Sequence, residues 1–136
     1  MTTYVDASVV LRIVLGESNP LDRWDHIDPV SSELIRVECL RTLERGATDD
    51  PRQSATLAGR RGDTLRYLEA IDLVAMSPPV LERAADQFPI YVATLDAIHL
   101  ATAVLLRDEL IDLDFATHDA RLALAARSMG FPVIGA

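Results

Sequence analysis

Four acidic residues stand where carboxylates could do chemistry together: Asp6, Glu38, Asp96 and Asp119. Asp6 ends a β-forming stretch, Thr2 to Val5, and stands directly before a helical pattern of Val9, Val10, Ile13 and Val14. Glu38 falls one and a half turns into a helix after a second short strand. Asp96 is in the first turn of a long amphipathic helix, and Asp119 closes Ala116-Thr117-His118-Asp119 after another strand. Each has an ordinary structural explanation. Asp96 would favour a helix dipole, Asp119 would cap a helix, and Glu38 would pair with Arg41 or Arg45 further along its helix. As a set they are harder to explain in that way. Val37 and Leu40 flank Glu38, and Ala97, Ile98 and Ala101 surround Asp96. Carboxylates gathered in apolar surroundings raise one another's pKa, and a divalent cation removes that conflict. With few imidazoles, such a set suits Mg²⁺ or Mn²⁺ rather than zinc. One or two such ions activate a water and clamp a phosphodiester in line.

The elements that would position these groups alternate along the chain. After the first strand, Ala7 to Leu15 reads as a helix stopped near Gly16. Ser18-Asn19-Pro20 reads as a turn before a short helix from Leu21 to His26. Val30 to Ser32 is a very short strand, and Ser32 caps a helix from Glu33 to Arg45 that Gly46 ends. Thr48-Asp49-Asp50-Pro51 opens an acidic-capped helix to about Leu68, weakened by Gly59 and Gly62. Ile71 to Ala75 is a third strand, Pro78-Pro79 opens a helix from Val80 to Gln87, and Phe88 to Tyr91 is a loop. Thr94 caps the helix from Leu95 to Leu110. Leu113 to Ala116 is a fourth strand, Ala120 to Ser128 a helix followed by Gly130, and Pro132 to Ile134 a last strand. Strands alternating with helices predict an α/β fold with a parallel sheet covered on both faces.

Composition narrows the function further. A chain of 136 residues, 49% of them apolar, is the size of one domain with a substantial core. No apolar run reaches the roughly 18 residues of a membrane span. The chain opens on a strand without a signal segment, and its one cysteine fits a reducing compartment. The expected location is cytoplasmic. Cys39 reads as a buried helix residue, with no evident histidine partner to activate the thiol. A net charge of −8 argues against a general nucleic-acid coat protein, though not against an enzyme with a local nucleic-acid site. All 13 lysine-plus-arginine positions are arginine, so any mechanism needing a catalytic lysine is excluded. Arg36, Arg41, Arg45, Arg52, Arg60, Arg61 and Arg66 cluster on two helices. They form either solvated faces paired with Glu33, Glu44 and Asp63 or an RNA-contacting rim.

Four segments in order carry a family likeness. They are Tyr4-Val5-Asp6-Ala7-Ser8, Ser31-Ser32-Glu33-Leu34-Ile35-Arg36-Val37-Glu38, Leu95-Asp96-Ala97-Ile98-His99-Leu100-Ala101-Thr102-Ala103 and Thr117-His118-Asp119, with Gly130-Phe131-Pro132-Val133 closing the chain. In these the sequence resembles a PIN-domain ribonuclease, specifically the VapC toxins of bacterial toxin–antitoxin pairs. The resemblance implies a single PIN-like domain over residues 1–136. Its fold would be a three-layer sandwich, with a central, mostly parallel sheet of four to five strands flanked by helices. It implies a metal-dependent endoribonuclease that uses Mg²⁺ or Mn²⁺, is neutralised by a VapB-like antitoxin, forms a homodimer and has no membrane association. Asp6, Glu38, Asp96 and Asp119 would be the catalytic, metal-binding set. Thr117 would support Asp119, and Asp114 would be a substitute or supporting acid. Ser8 and His99 belong to the matched motifs; His99, one turn from Asp96, is either a substrate-positioning group or a packed, hydrogen-bonded histidine. Glu33 reads as a cap, and His26 and His118 as structural. An apolar groove at Leu11, Val14, Leu15, Leu21 and Trp24 would receive the antitoxin.

Other classes fit less well. A receiver or haloacid-dehalogenase-type phosphotransfer domain also puts an aspartate after its first strand, but both use a lysine. A P-loop fails for the same reason and for want of its glycines. A catalytically inactive PIN-like binding module is disfavoured because all four acids are present.

Overall fold

The structure, a computed structural model, describes residues 1–47 and 51–136, with the side chains of residues 51–54 left aside. The acidic cap expected at Thr48, Asp49 and Asp50 lies outside the described residues, as does the side chain of Arg52. Five strands form one sheet: β1 (Thr2–Val5), β2 (Asp28–Ser32), β3 (Asp72–Val74), β4 (Asp114–Ala116) and β5 (Val133–Ile134). Every pairing is parallel and the order is β3-β2-β1-β4-β5. The helices are α1 (Ala7–Val14), α2 (Leu34–Arg45), α3 (Pro51–Glu69), α4 (Pro78–Ala85), α5 (Thr94–Arg107) and α6 (Ala120–Ser128). A 3-10 helix, Trp24–His26, stands where a longer helix from Leu21 was expected. Six residues are too few to recover the cost of nucleating an α-helix, and Leu21 instead turns into the core.

The period of two along the strands builds the layers. Val30, Tyr4 and Phe115 sit side by side in register on one face, over Leu100, Ala103, Leu122 and Ala126 of α5 and α6. Val5 and Ala116 point to the opposite face, over Val9, Val10, Ile35, Cys39 and Leu68 of α1, α2 and α3. The result is a three-layer α/β sandwich. Among the described residues no helix is long and apolar enough to cross a membrane.

Several boundaries moved for identifiable reasons. Thr94 is the first helical residue of α5 and makes no cap. Ala93 holds the extended cap conformation (φ −68°, ψ 163°) and its carbonyl accepts from the Ala97 N–H at 2.8 Å. A capping side chain needs that extended backbone at its own residue. At the start of α2 the cap position falls on Glu33, which makes no side-chain cap, while Ser32 one residue earlier accepts at its Oγ from the Leu34 N–H at 3.1 Å. α3 runs unbroken through Gly59 and Gly62, because Thr64 and Leu68 bury its inner face and tertiary packing outweighs propensity.

Candidate active site

The strand order has a consequence for β1. The chain winds from β1 to β2 and β3 on one side, then crosses to β4 and β5 on the other. The crevice outside the carboxyl ends of β1 and β4 is therefore the topological switch point, where ligands bind in open α/β sheets. Asp6 follows β1 and Thr117 follows β4, so both stand at that crevice.

Asp6 is 6% exposed and held at both oxygens. Ser8 Oγ donates to its Oδ1 at 2.5 Å, and Thr117 Oγ1 donates to its Oδ2 at 2.9 Å. Those hydroxyls also accept from the turn after β4: Ser8 Oγ from the His118 N–H at 2.9 Å, Thr117 Oγ1 from the Asp119 N–H at 3.0 Å. The turn is sealed from behind by Gly135 (φ +89°), where a Cβ would come within 3.0 Å of the Thr117 carbonyl oxygen. Burial pushes the Asp6 carboxyl up to about 6, against the pull of the Ser8 and Thr117 hydrogen bonds and with the Glu38 charge adding to the rise.

The other three acids approach from helices. Asp96, in the first turn of α5, is half-buried. Its pKa is raised by burial, then by the charges of Asp119 and Glu38. Glu38 does not pair with an arginine of its own helix. Its Oε1 makes a short hydrogen bond with Nε2 of His99, a residue 1% exposed on α5. Asp119 caps α6: its Oδ1 accepts from the N–H groups of Arg121 at 2.8 Å and Leu122 at 3.2 Å. Asp119 is thus the cap of α6, and its charge also reaches Asp96.

Asp114 is not with them. It opens β4 opposite Thr3 and borders a hollow with Met1, His26 and Ile27, at the amino edge of the sheet. In a parallel sheet the start and end of a strand lie at opposite edges, so an acid at the start of β4 cannot stand in for one after it. Glu33 accepts from the Met76 N–H at 2.9 Å and ties the start of α2 to the chain after β3.

Residues 3–128 match the family model of the PIN domain. The chain is a PIN-domain protein. It is 37% identical to Ribonuclease VapC46 of Mycobacterium tuberculosis (strain ATCC 25618 / H37Rv) over 96% of this chain and 95% of the relative. It is 30% identical to Ribonuclease VapC47 of Mycobacterium tuberculosis (strain CDC 1551 / Oshkosh) over 94% and 92% of the respective chains. The fold is similar to that of a toxin–antitoxin complex from Klebsiella pneumoniae, with TM-score 0.66, 15% identity and coverage of 97% of this chain and 95% of that one. It is also similar to the crystal structure of a Pyrobaculum aerophilum protein, with TM-score 0.61, 17% identity and coverage of 98% and 83%.

In this PIN domain, no three His, Cys, Asp or Glu side chains among the described residues close on a single point that would hold an ion. Three of the four acids, Asp6, Glu38 and Asp119, are engaged in hydrogen bonds. The chemistry of the donor set nevertheless fits a hard divalent cation. Its members are carboxylates, two of them with raised pKa values. The neighbouring imidazole spends both ring nitrogens inside the protein, on Glu38 and on the Tyr4 hydroxyl at 2.7 Å. That leaves oxygen donors, which suit Mg²⁺ or Mn²⁺. Burial lifts the Cys39 thiol to about 12, so it is neither ligand nor nucleophile. The groups that sequence reasoning undervalued are hydroxyls: Tyr4, Ser8, and Thr117 acting on Asp6. Their signal was present in the Tyr4-Val5-Asp6-Ala7-Ser8 segment, where polar atoms bracket the aspartate in a run otherwise built for burial.

Proposed function

We propose that this protein is a divalent-metal-dependent endoribonuclease toxin restrained by a small antitoxin. The observation that carries the reading is Asp6. It is a carboxylate buried at the switch point of the sheet, pinned at both oxygens, and it feels the charge of a second acid from another helix. Asp6, Glu38, Asp96 and Asp119 would hold Mg²⁺ or Mn²⁺. When bound, such an ion makes a water acidic enough to attack and offsets charge on the scissile phosphate. The chain's own residues do the positioning. Ser8 and Thr117 keep Asp6 in one orientation, His99 keeps Glu38 in one orientation, and the α6 cap leaves the second oxygen of Asp119 clear of helix hydrogen bonds.

The antitoxin reading is supported by the relatives and by a hollow of about 480 Å³ bordered by Ile13, Val14, Trp24 and Tyr67 of α1, the 3-10 helix and α3. An amphipathic helix fits such a groove, and a basic partner complements a chain of net charge −8. Leu21, expected in that groove, belongs to the core. Leu81 on α4, Leu95 on α5 and Tyr91 between them are exposed, an apolar surface of the kind two copies of one chain bury.

The test is direct. Protein purified free of antitoxin cleaves RNA in Mg²⁺ or Mn²⁺ and stops in EDTA; undiminished cleavage in EDTA sinks the metal mechanism. Co-expression with the neighbouring upstream reading frame yields a stable complex and relieves growth arrest.

A further inference from the structure

We propose that Tyr4 and His99 form a positioning relay for Glu38: the Tyr4 hydroxyl selects the His99 tautomer, and His99 aims the carboxylate. The proposal rests on the metal-dependent reading above and assigns two residues that no ligand set includes.

The relay begins at a group that can only donate. The backbone N–H of Ser32, at the end of β2, donates to the Tyr4 hydroxyl oxygen at 3.1 Å. Tyr4 is fully buried on the central strand. Having accepted one bond, the hydroxyl has one proton to give. The hydroxyls of Ser31 and Thr102 lie around it; each donates its own proton to a main-chain carbonyl, Val5 at 2.6 Å and Ile98 at 2.7 Å, so neither competes with Ser32 to donate to the Tyr4 oxygen. The most basic acceptor present is His99 Nδ1, at 2.7 Å. A ring that accepts at Nδ1 carries its proton on Nε2, and Nε2 faces the Glu38 carboxylate, which accepts.

The chain Ser32 to Tyr4 to His99 to Glu38 thus runs with one donor direction from β2 through β1 and α5 to α2. Three of its members are buried, and the last is partly open at the carboxyl edge of the sheet. Packing alone does not call for this. An apolar pair of the same volume would fill the space between β1 and α5 without burying three polar side-chain atoms. Glu38 on an outer helix instead takes its orientation from the centre of the sheet. Outer partners of this kind orient metal-binding carboxylates and histidines, and their loss typically weakens metal binding roughly 10–100-fold.

The first test needs no substitution. NMR of the imidazole nitrogens in nitrogen-labelled wild type distinguishes the tautomers. The expected spectrum has His99 Nε2 protonated and Nδ1 bare; a ring protonated on Nδ1 instead overturns the relay. The second test is calorimetry with Mn²⁺ on the full chain. His99→Gln puts an amide N–H near the Nε2 position and keeps near wild-type affinity. His99→Asn is too short to reach Glu38 and loses roughly 10–100-fold. Equal affinities in the two variants, whether kept or lost, overturn the relay while leaving the metal-dependent reading standing. A wild type that binds no Mn²⁺ overturns that reading, and with it the purpose of the relay. Tyr4→Phe keeps the ring stacked on Phe115 and is expected to mix the His99 tautomers; an unchanged tautomer overturns the role of the hydroxyl.

Discussion

Asp6 sets the terms at the scale of single residues. Its folded pKa of about 6 stands above the ordinary 3.8, so the folded chain binds more protons than the unfolded chain between those values. The contribution to stability is therefore full below the ordinary aspartate range and is lost as pH rises through about 6. The loss is on the order of 3 kcal/mol, since each unit of difference is about 1.4 kcal/mol. In EDTA, wild type is expected to melt lower at about pH 7 than at about pH 4, and Asp6→Asn to show a flatter profile. A wild-type melting temperature that does not fall over that range contradicts the assignment. The same substitution should lower RNA cleavage by about 100-fold or more, the usual scale for removing one electrostatic element of a site. Circular dichroism then separates lost chemistry from lost fold.

Helices contribute through their ends and their exposed faces. Asp119 serves α6 as cap and the site as charge, and two substitutions separate these roles. Asp119→Asn retains a side-chain acceptor for the Arg121 and Leu122 N–H groups. It is expected to keep the metal-free melting temperature and lose metal response. Asp119→Ala also loses the cap, worth about 1 kcal/mol, or roughly 3–5 °C in a chain of this size. Equal metal-free melting of the two variants contradicts the cap. Along α3 the opposite situation holds: a Cβ at Gly59 or Gly62 meets nothing within 4 Å. Alanine at each is expected to stabilise by roughly 0.5–1 kcal/mol, measured by urea unfolding, because no packing role opposes the gain in helix propensity. No gain at either position would mean that the glycines serve a contact made outside this chain.

For the molecule as a whole, the acid set should make folding and metal binding one equilibrium. An ion that binds the folded site and not the open chain stabilises by about 2.7 kcal/mol at a hundredfold excess over Kd, or roughly 10 °C in melting temperature. Asp96→Asn removes one of the charges that raise each other's pKa. In EDTA it should melt no lower than wild type, and in Mn²⁺ its rise should be smaller. A destabilised variant in EDTA, with an unchanged metal shift, would make Asp96 a helix-start residue and nothing more.

Local patterns determined most of the architecture. Apolar periodicity and turn residues gave the order of strands and helices, the parallel sheet and its two covered faces, because a strand or a helix is specified by neighbours in sequence. The same logic put Asp6, Glu38, Asp96 and Asp119 at element ends and helix faces that approach one edge. It misplaced Asp114, although a residue opening a parallel strand must lie at the far edge, and it gave Thr94 a cap that the backbone assigned to Ala93. What only the tertiary structure decided were pairings across long stretches of chain. Glu38 meets His99 61 residues away rather than an arginine on its own helix, and Thr117 reaches Asp6 from 111 residues away. Sequence spacing along α2 offered Arg41 or Arg45, one or two turns on, as a partner for Glu38. The choice fell to His99 because a buried ring already held by Tyr4 offers a fixed donor, whereas an exposed arginine would have to give up side-chain freedom and water to make the same bond.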